Sequence, residues 1–457
     1  MKILLTVHQY FPSFSAGTEV LTRSVARELA RRGNEVRIFC GHPTTTPMHD
    51  GQRLDSYTYE DIHTYRFHHA YVPMAGQHSH IALDYDNHLA AQFFAQILDD
   101  FAPDVVHFFH FSRLGTGLIP ATVAAKIPAF FTPTDFWAIC PTAQLLLNDE
   151  RICTGPDAFA GNCIQHITQA SANRLIATAA KTLPTRTFEM VARFTQNHAT
   201  PAFPRKAEIQ ALSARLAINV RRLCQLQKIV TPNLPMQRVL LRHGVDSNRI
   251  VLVPYGVEHS KATDHDSRRR LEHMPLRIGF IGTLVQHKGC HILIEAFKKM
   301  AAGSATLNIY GTLDAYPEYI SRLKQSAHGQ TSIAFCGTFP NEAISDKFKE
   351  LDVLVVPSLW LENTPLVLYS AQAAGCPVVA SDFEGISEVI KHDVNGLVFA
   401  PGNVSALASQ LNRLAQDQTL VTRLSANAME PQSAASYVDA LLSVWNGTPE
   451  YAVPLQI

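Results

Sequence analysis

The 457-residue chain has no apolar run approaching the roughly 18 residues that a membrane-spanning helix requires. Its opening, MKILLTVHQYFP, reads as a short strand that breaks at proline, without the charged, apolar and small-residue regions of a signal peptide. Neither charge predominates: 39 Lys and Arg stand against 39 Asp and Glu, so net charge offers nothing to nucleic acid or to an acidic partner. The first strand-to-helix loop, HQYFPSFSAGTE, lacks G-x-G-x-x-G, which argues against a dinucleotide-dependent dehydrogenase. None of the eight cysteines is paired at C-x2-C spacing, and a chain this long needs no disulfide framework. Reduced thiols and a cytoplasmic setting are expected, which leaves the sequons at Asn403 and Asn446 unused.

What is present is a repeated strand–helix–strand pattern over a length too great for one core, so two α/β domains are expected. The most informative stretch is DVLVVPSLWLENTPLVLYSAQAAGCPVVASDFEGISEVIKHDVNGLVFA, from Asp352 to Ala400. Asp352 to Val356 is a β-branched run that Pro357-Ser358 terminates. Pro365 suits the first turn of a helix, Leu366, Tyr369 and Ala373 continue one face, Gly375 ends it, and Cys376 to Ala380 forms a second strand. Two strands joined by a helical crossover should be parallel, which puts the loop around Glu362 at a strand C-terminus and a helix N-terminus. Ligands of open α/β sheets bind there, anions above all.

In its frame Pro357, Ser358, Glu362, Ala371, Gly375, Pro377, Ser381, Asp382, Gly385 and Glu388, this stretch resembles the signature of the retaining nucleotide-sugar glycosyltransferases of family 4, the glycosyl transferases group 1. Further resemblances are Ala16-Gly17-Thr18-Glu19 to a G-G-x-E loop and TPTDFWAICP to T-x-H-D-x-W-x-x-C-P. GTLVQHKG matches a G-R-x-x-x-x-K-G element, and Pro254-Tyr255-Gly256-Val257 a P-N-G-V turn. Family membership implies a GT-B fold, α/β, of two Rossmann-like doubly wound domains facing a central cleft. The expected boundaries are an acceptor-side domain over 1–257, with a basic helical insertion at about 167–228, a linker over 258–273 and a donor domain over 274–433. A C-terminal helix over 434–457 would pack back toward the first domain.

The resemblance further implies a metal-independent hexosyltransferase without cofactor. A sugar would pass with retention from a nucleoside diphosphate sugar to a hydroxyl on a glycan or lipid-linked glycan, in polysaccharide or glycolipid synthesis. Catalytic roles fall to Glu362, Asp135 and Thr134, and donor binding to Gly17, Thr283, Lys288, Gly311, Gly337, Asn363, Thr364, Pro365, Leu366 and Ser370. Three positions depart from the family: Thr134 replaces histidine, Thr283 arginine and Ser370 a second glutamate. Losing two charge-assisted donor contacts costs roughly 3–6 kcal/mol, about 10² to 10⁴ in affinity. The alternative is therefore a catalytically weakened relative that binds sugar or nucleotide as a partner protein.

Other candidates have plainer competitors. His107 and His110, in DVVHFFHF, would point toward the cleft, although a histidine on an apolar strand is more often packed and satisfied. Asp84-Tyr85-Asp86 has the form of a metal-binding D-x-D outside the donor frame and is read as incidental. Cys140, Cys153, Cys163 and His166, with gaps of 12, 9 and 2 residues, supply a ligand set for structural zinc, but buried reduced thiols are the expectation. Residues 167–228 hold ten Lys and Arg against two Glu. Within them Ile209, Leu212, Leu216, Leu223 and Leu226 share a helical face from which Arg215, Arg221 and Arg222 are absent. A solvated basic face is expected, and peripheral contact with the inner face of a membrane is the alternative.

Overall fold

The computed structural model describes residues 1–196, 201–258 and 274–448. They divide into two compact units, one of Met1–Pro254 with Val438–Ile457, the other of Tyr255–Tyr437. All of the expected linker except Glu258 lies outside the described residues, as do 197–200 of the basic insertion and the last nine residues of the C-terminal segment.

The first unit is built on eight strands: β1 (Lys2–Val7), β2 (Glu35–Pro43), β3 (Leu54–Tyr59), β4 (Ile62–His69), β5 (Val105–Phe108), β6 (Ala129–Phe131), β7 (Lys228–Thr231) and β8 (Ile250–Leu252). Their order is β3-β4-β2-β1-β5-β6-β7-β8, parallel throughout except for the edge pair β3–β4. The second unit carries β9 (Leu276–Ile281), β10 (Ala305–Tyr310), β11 (Ile333–Gly337), β12 (Val353–Val356), β13 (Val378–Ser381) and β14 (Gly396–Phe399), all parallel, in the order β11-β10-β9-β12-β13-β14. The unbroken apolar runs VVHF of β5 and VLVV of β12 follow from this architecture, because helices cover both faces of a parallel sheet.

Strand order fixes where a site can form. The chain builds outward from β9 to β11, then returns to β12, so the loops after β9 and β12 diverge at a switch point on one sheet edge. At the opposite edge Asp352, 3% exposed, accepts hydrogen bonds from Arg277 N at 2.8 Å and Arg277 Nη2 at 2.7 Å, pinning the starts of these strands together. In the first unit β1 and β5 stand in the same relation.

Ala16 is the N-cap of the helix Gly17–Arg31, and Glu19 Oε2 reaches back to accept the Ala16 N–H at 2.7 Å. Three expectations are corrected. Pro365 is the N-cap of the helix Leu366–Ala373 rather than a first-turn residue. Of the basic face expected on the helix Lys206–Leu223 only Arg221 is solvated: Arg215 is 2% exposed and Arg222 Nη2 bonds Asp86 Oδ1 at 2.6 Å. His107 points into the core, fully buried, and not toward a ligand. Among the described residues no helix is long and apolar enough to cross a membrane.

Candidate functional site

The strongest constellation in the second unit sits at its switch point. After β9 the chain runs through a short turn at Gln286–Lys288 to Gly289, which opens the helix Cys290–Phe297. After β12 it runs through Pro357 and Ser358 to Glu362 and on to the helix Leu366–Ala373. Gly289 is required where these loops cross. Its φ is +70°, and a Cβ there would lie 1.8 Å from the Pro357 carbonyl oxygen. Leu359 N donates to His287 O at 2.8 Å, closing the two loops together.

This crossing brings Lys288 to Glu362. Lys288 Nζ donates to Glu362 Oε1 at 2.7 Å, and Ser358 Oγ donates to the same oxygen at 2.5 Å. The Glu362 side chain is 3% exposed and that of Lys288 25%, so the carboxylate is buried and the ammonium reaches the surface. An ammonium has three donors, and one is used here. Lys288 also stands 5.1 Å from the Trp360 ring centroid, and the Trp360 indole N–H is buried without a hydrogen-bond acceptor. His287 packs against the same ring at 5.2 Å, and burial holds its pKa down to about 4, so it is neutral at physiological pH.

The remaining donor-side candidates lie on the same loops and strand ends. Asn363 Nδ2 donates to the Tyr255 hydroxyl at 3.3 Å, and Thr364 Oγ1 donates to Gly385 O at 3.1 Å. Thr364 adopts φ +52°, a left-handed conformation unusual for a β-branched residue and held by the packed loop around it. Gly311 N donates to Gly337 O at 2.9 Å and Gly282 N to Tyr310 O at 3.1 Å, so the ends of β9, β10 and β11 form one continuous rim with half-buried Thr283 beside it. Leu366 and Ser370 are half-buried on the helix that follows Pro365.

A second constellation belongs to the first unit, built from the loops after β1, β5 and β6. Thr18 Oγ1 donates to Thr134 Oγ1 at 2.8 Å, next to Gly17 in the first turn of its helix. His110 Nε2 lies 3.0 Å from Asp135 Oδ2, while the Ser112 N–H donates to His110 Nδ1 at 3.0 Å. Because Nδ1 must accept, the proton sits on Nε2 and is donated to Asp135. Asp135 Oδ1 also accepts the Trp137 N–H at 2.8 Å, so this carboxylate is committed to two donors.

Behind Asp135, Trp137 Nε1 donates to Asp84 Oδ2 at 3.0 Å, and the Arg215 guanidinium covers the Trp137 ring at 4.6 Å. His8 and Glu19 complete the cluster at 3.5 Å, with the His8 ring 4.2 Å from that of His110. Burial raises the Glu19 pKa to about 7 and lowers that of His8, so both are pushed toward neutrality and their contact is not an ion pair at pH 7.

Sequence reasoning named Lys288 and Glu362 separately and missed that they pair; Ser358 stood in the motif without a role. It set Asp84 aside, whereas Asp84 and Asp86 hold Trp137 and Arg222 in place. Cys140, Cys153, Cys163 and His166 do line one small cavity. They do not converge: among the described residues no three His, Cys, Asp or Glu side chains are grouped to hold an ion. Burial raises the Cys153 and Cys163 thiol pKa values, favouring the uncharged form, and His166 Nε2 is 3.0 Å from Asn148 Oδ1. The fold thus holds these cysteines as free thiols.

Residues 262–430 match the family Glycosyl transferases group 1, and residues 15–160 match Glycosyltransferase Family 4. The chain is 32% identical over 192 residues to the amylovoran biosynthesis glycosyltransferase AmsK of Erwinia amylovora, covering 40% of this chain and 46% of that protein. It is 33% identical over 157 residues to the putative glycosyltransferase YtcC of Bacillus subtilis, covering 33% and 39%. These alignments thus span less than half of either relative. Among solved structures, Anabaena Alr3699/HepE in complex with UDP and glucose superposes with a TM-score of 0.63 at 16% identity, over 98% of this chain and 99% of that one. Sucrose-phosphate synthase from Thermosynechococcus elongatus gives 0.61 at 15% identity, over 98% and 96%. At such identities the likeness shows the fold, two α/β units of GT-B type.

Proposed function

We propose, from the premise that this chain belongs to the group 1, family 4 glycosyltransferases, that it moves a sugar with retention from a nucleoside diphosphate sugar to a hydroxyl acceptor. The observation that carries this reading is the Lys288–Glu362–Ser358 cluster at the sheet's switch point. Lys288 and the N-terminus of the helix Cys290–Phe297 supply charge and N–H donors to a leaving diphosphate, so the reaction needs neither metal nor cofactor. Glu362, held by two donors, is poised to orient the transferred sugar. The glycine rim at Gly311 and Gly337, with Thr283, offers the base and phosphates a surface without bulky side chains, and Ser370 takes the ribose side. Asn363, Thr364, Pro365 and Leu366 shape the loop between them. On the acceptor-side unit, Gly17, Thr134 and Asp135 are assigned to the sugar and its phosphates, with His110 as a positioning residue for Asp135.

The polysaccharide role draws on the Erwinia relative, whose name places it in amylovoran biosynthesis, and the nucleotide-sugar donor on the Anabaena structure bound to UDP and glucose. The acceptor is a glycan or lipid-linked glycan, and the protein acts in the cytoplasm. Free cysteines fit that reducing setting.

Thermal shift against UDP-, GDP- and dTDP-sugars tests the reading. At least one donor should raise the midpoint, since a ligand at 100 times its Kd stabilises by about 2.7 kcal/mol. No shift with any donor, together with no donor hydrolysis, would sink it.

A further inference from the structure

We propose that the C-terminal edge of the first unit's sheet, around Arg113, binds the acceptor as a sugar that carries an anionic group. This rests on the transferase reading and adds the chemical class of the acceptor. The parallel strands β4, β2, β1 and β5 are neighbours and end at this edge, and the residues that follow them meet at Arg113. Arg113 Nη1 donates to Gln9 Oε1 at 2.6 Å and to His8 O at 3.5 Å, both just after β1. Its guanidinium lies 5.8 Å from the Phe14 ring centroid, and Phe14 meets His42, near the end of β2, at 5.7 Å. Gly41 makes this approach possible, because a Cβ there would lie 2.7 Å from His8 O and 3.1 Å from Arg113 Cβ. From β4 comes His69, its ring 4.9 Å from that of Tyr71.

This edge holds polar atoms that the fold itself leaves unanswered. His8 Nδ1 and both ring nitrogens of His69 are buried without a hydrogen-bond partner, and His69 is only 2% exposed. Such atoms are costly to bury unless something binds them. Burial lowers the pKa values of His8, His42 and His69, that of His69 to about 4, and the charge of Arg113 lowers each further. The three rings are therefore neutral at pH 7, and a neutral imidazole has one donor and one acceptor, as hydroxyl groups require. Phe14 and His42 are half-buried and Tyr71 is 56% exposed, so ring faces remain open to a sugar.

Charge selects among sugars. Asp55 accepts from Arg66 at 2.9 and 2.7 Å and lies 3.0 Å from His68, so its charge is answered within its own strand pair. Burial raises the pKa of Glu19 to about 7 and also raises that of Asp84, which weakens the negative charge of both. Arg53 adds to the positive field at His69. Positive charge therefore predominates around Arg113, and a planar guanidinium takes a carboxylate or a phosphate in a paired fork. A neutral sugar would use the rings but not the guanidinium.

The full chain is titrated calorimetrically with glucuronic acid, glucose 6-phosphate and glucose, which are a carboxylate, a phosphate and a neutral probe. At least one acidic sugar should bind about tenfold or more tightly than glucose, and which one does so identifies the anionic group. Arg113→Gln should bring both acidic sugars down to the level of glucose, a loss of about 10- to 100-fold. Tyr71→Ala, at an exposed position, should weaken all three sugars by roughly two- to tenfold. Equal affinity for the three, binding of none, or a preference that survives Arg113→Gln overturns the proposal. So does a Tyr71→Ala variant whose affinities are all unchanged. Donor thermal shifts separate this outcome from the broader one. A chain that a nucleotide sugar stabilises but that treats the three sugars alike loses only the acceptor class; an acidic-sugar preference without any donor shift keeps the site and sinks the transferase reading.

Discussion

Lys288→Ala does two separable things at the switch point. It removes an ammonium from the proposed diphosphate site, and it leaves Glu362 buried with only Ser358 donating. Losing one charged hydrogen bond costs about 1.5–3 kcal/mol, so both urea stability and nucleotide affinity should fall. A stability loss with unchanged nucleotide affinity would take Lys288 out of the donor site and leave it a structural partner. Glu19 makes a prediction of the opposite kind. Burial raises its pKa from 4.5 to about 7, so between those values the folded protein keeps a proton that the unfolded chain releases. Stability from this group is therefore full below about pH 4.5 and lost as pH rises toward 7, by as much as about 3 kcal/mol. Glu19→Gln should flatten that slope, read as the variant-minus-wild-type difference in urea midpoints at pH 5 and 7.5; parallel profiles would show that Glu19 ionises as freely folded as unfolded. At this scale the sequence exposed the Lys288 and Glu362 frames, since their motifs are local. Their pairing was hidden because it depends on two loops 74 residues apart crossing at Gly289.

At the scale of elements, the apolar runs of β1, β2, β5, β12 and β13 were legible because parallel strands buried on both faces need little else. The hairpin β3–β4 was not. Its turn places Glu60 and Asp61 at φ +48° and +61°, a conformation usually advertised by Asn-Gly, and its strands are filled with His and Tyr. The helix Lys206–Leu223 misled in another way: its leucine stripe was genuine, but the side chain that matters most on it is Arg215. That guanidinium donates to Ile139 O at 3.2 Å and to Trp137 O, and covers the Trp137 ring whose N–H holds Asp84. Hydrophobic periodicity treats every arginine as solvated, so a buried one clamping carbonyls is invisible to it. Arg215→Met keeps much of the volume and removes the donors. It should destabilise the first unit by roughly 2–4 kcal/mol, because two buried carbonyls lose a charged partner. A melting temperature within a degree of wild type would show that water replaces the guanidinium at no cost.

Over the whole molecule, the first unit is assembled from both ends of the chain, since residues from Val438 onward belong with Met1–Pro254. The helix Ala434–Trp445 makes that closure specific through its last residue. Trp445 Nε1 donates to His107 Nδ1 at 3.1 Å, and an indole can only donate, so the His107 proton sits on Nε2 and goes to Thr132 Oγ1 at 2.8 Å. Burial holds the His107 pKa down at about 3, so this chain of bonds is neutral over the physiological range. Sequence spacing offered His107 as a ligand-facing group because nothing within its own strand reveals a partner 338 residues away. Trp445→Phe keeps a ring over His107 and Phe130 but leaves Nδ1 buried without its donor, an expected loss of about 1–3 kcal/mol. Trp445→Ala also empties the space of the ring, raising the loss to roughly 3–5 kcal/mol. Urea unfolding should therefore rank wild type above Phe above Ala. If the Phe and Ala variants unfold together, ring packing contributes nothing and the indole bond alone closes the unit; if both match wild type, the chain's last turn of helix is not part of the first unit's stability.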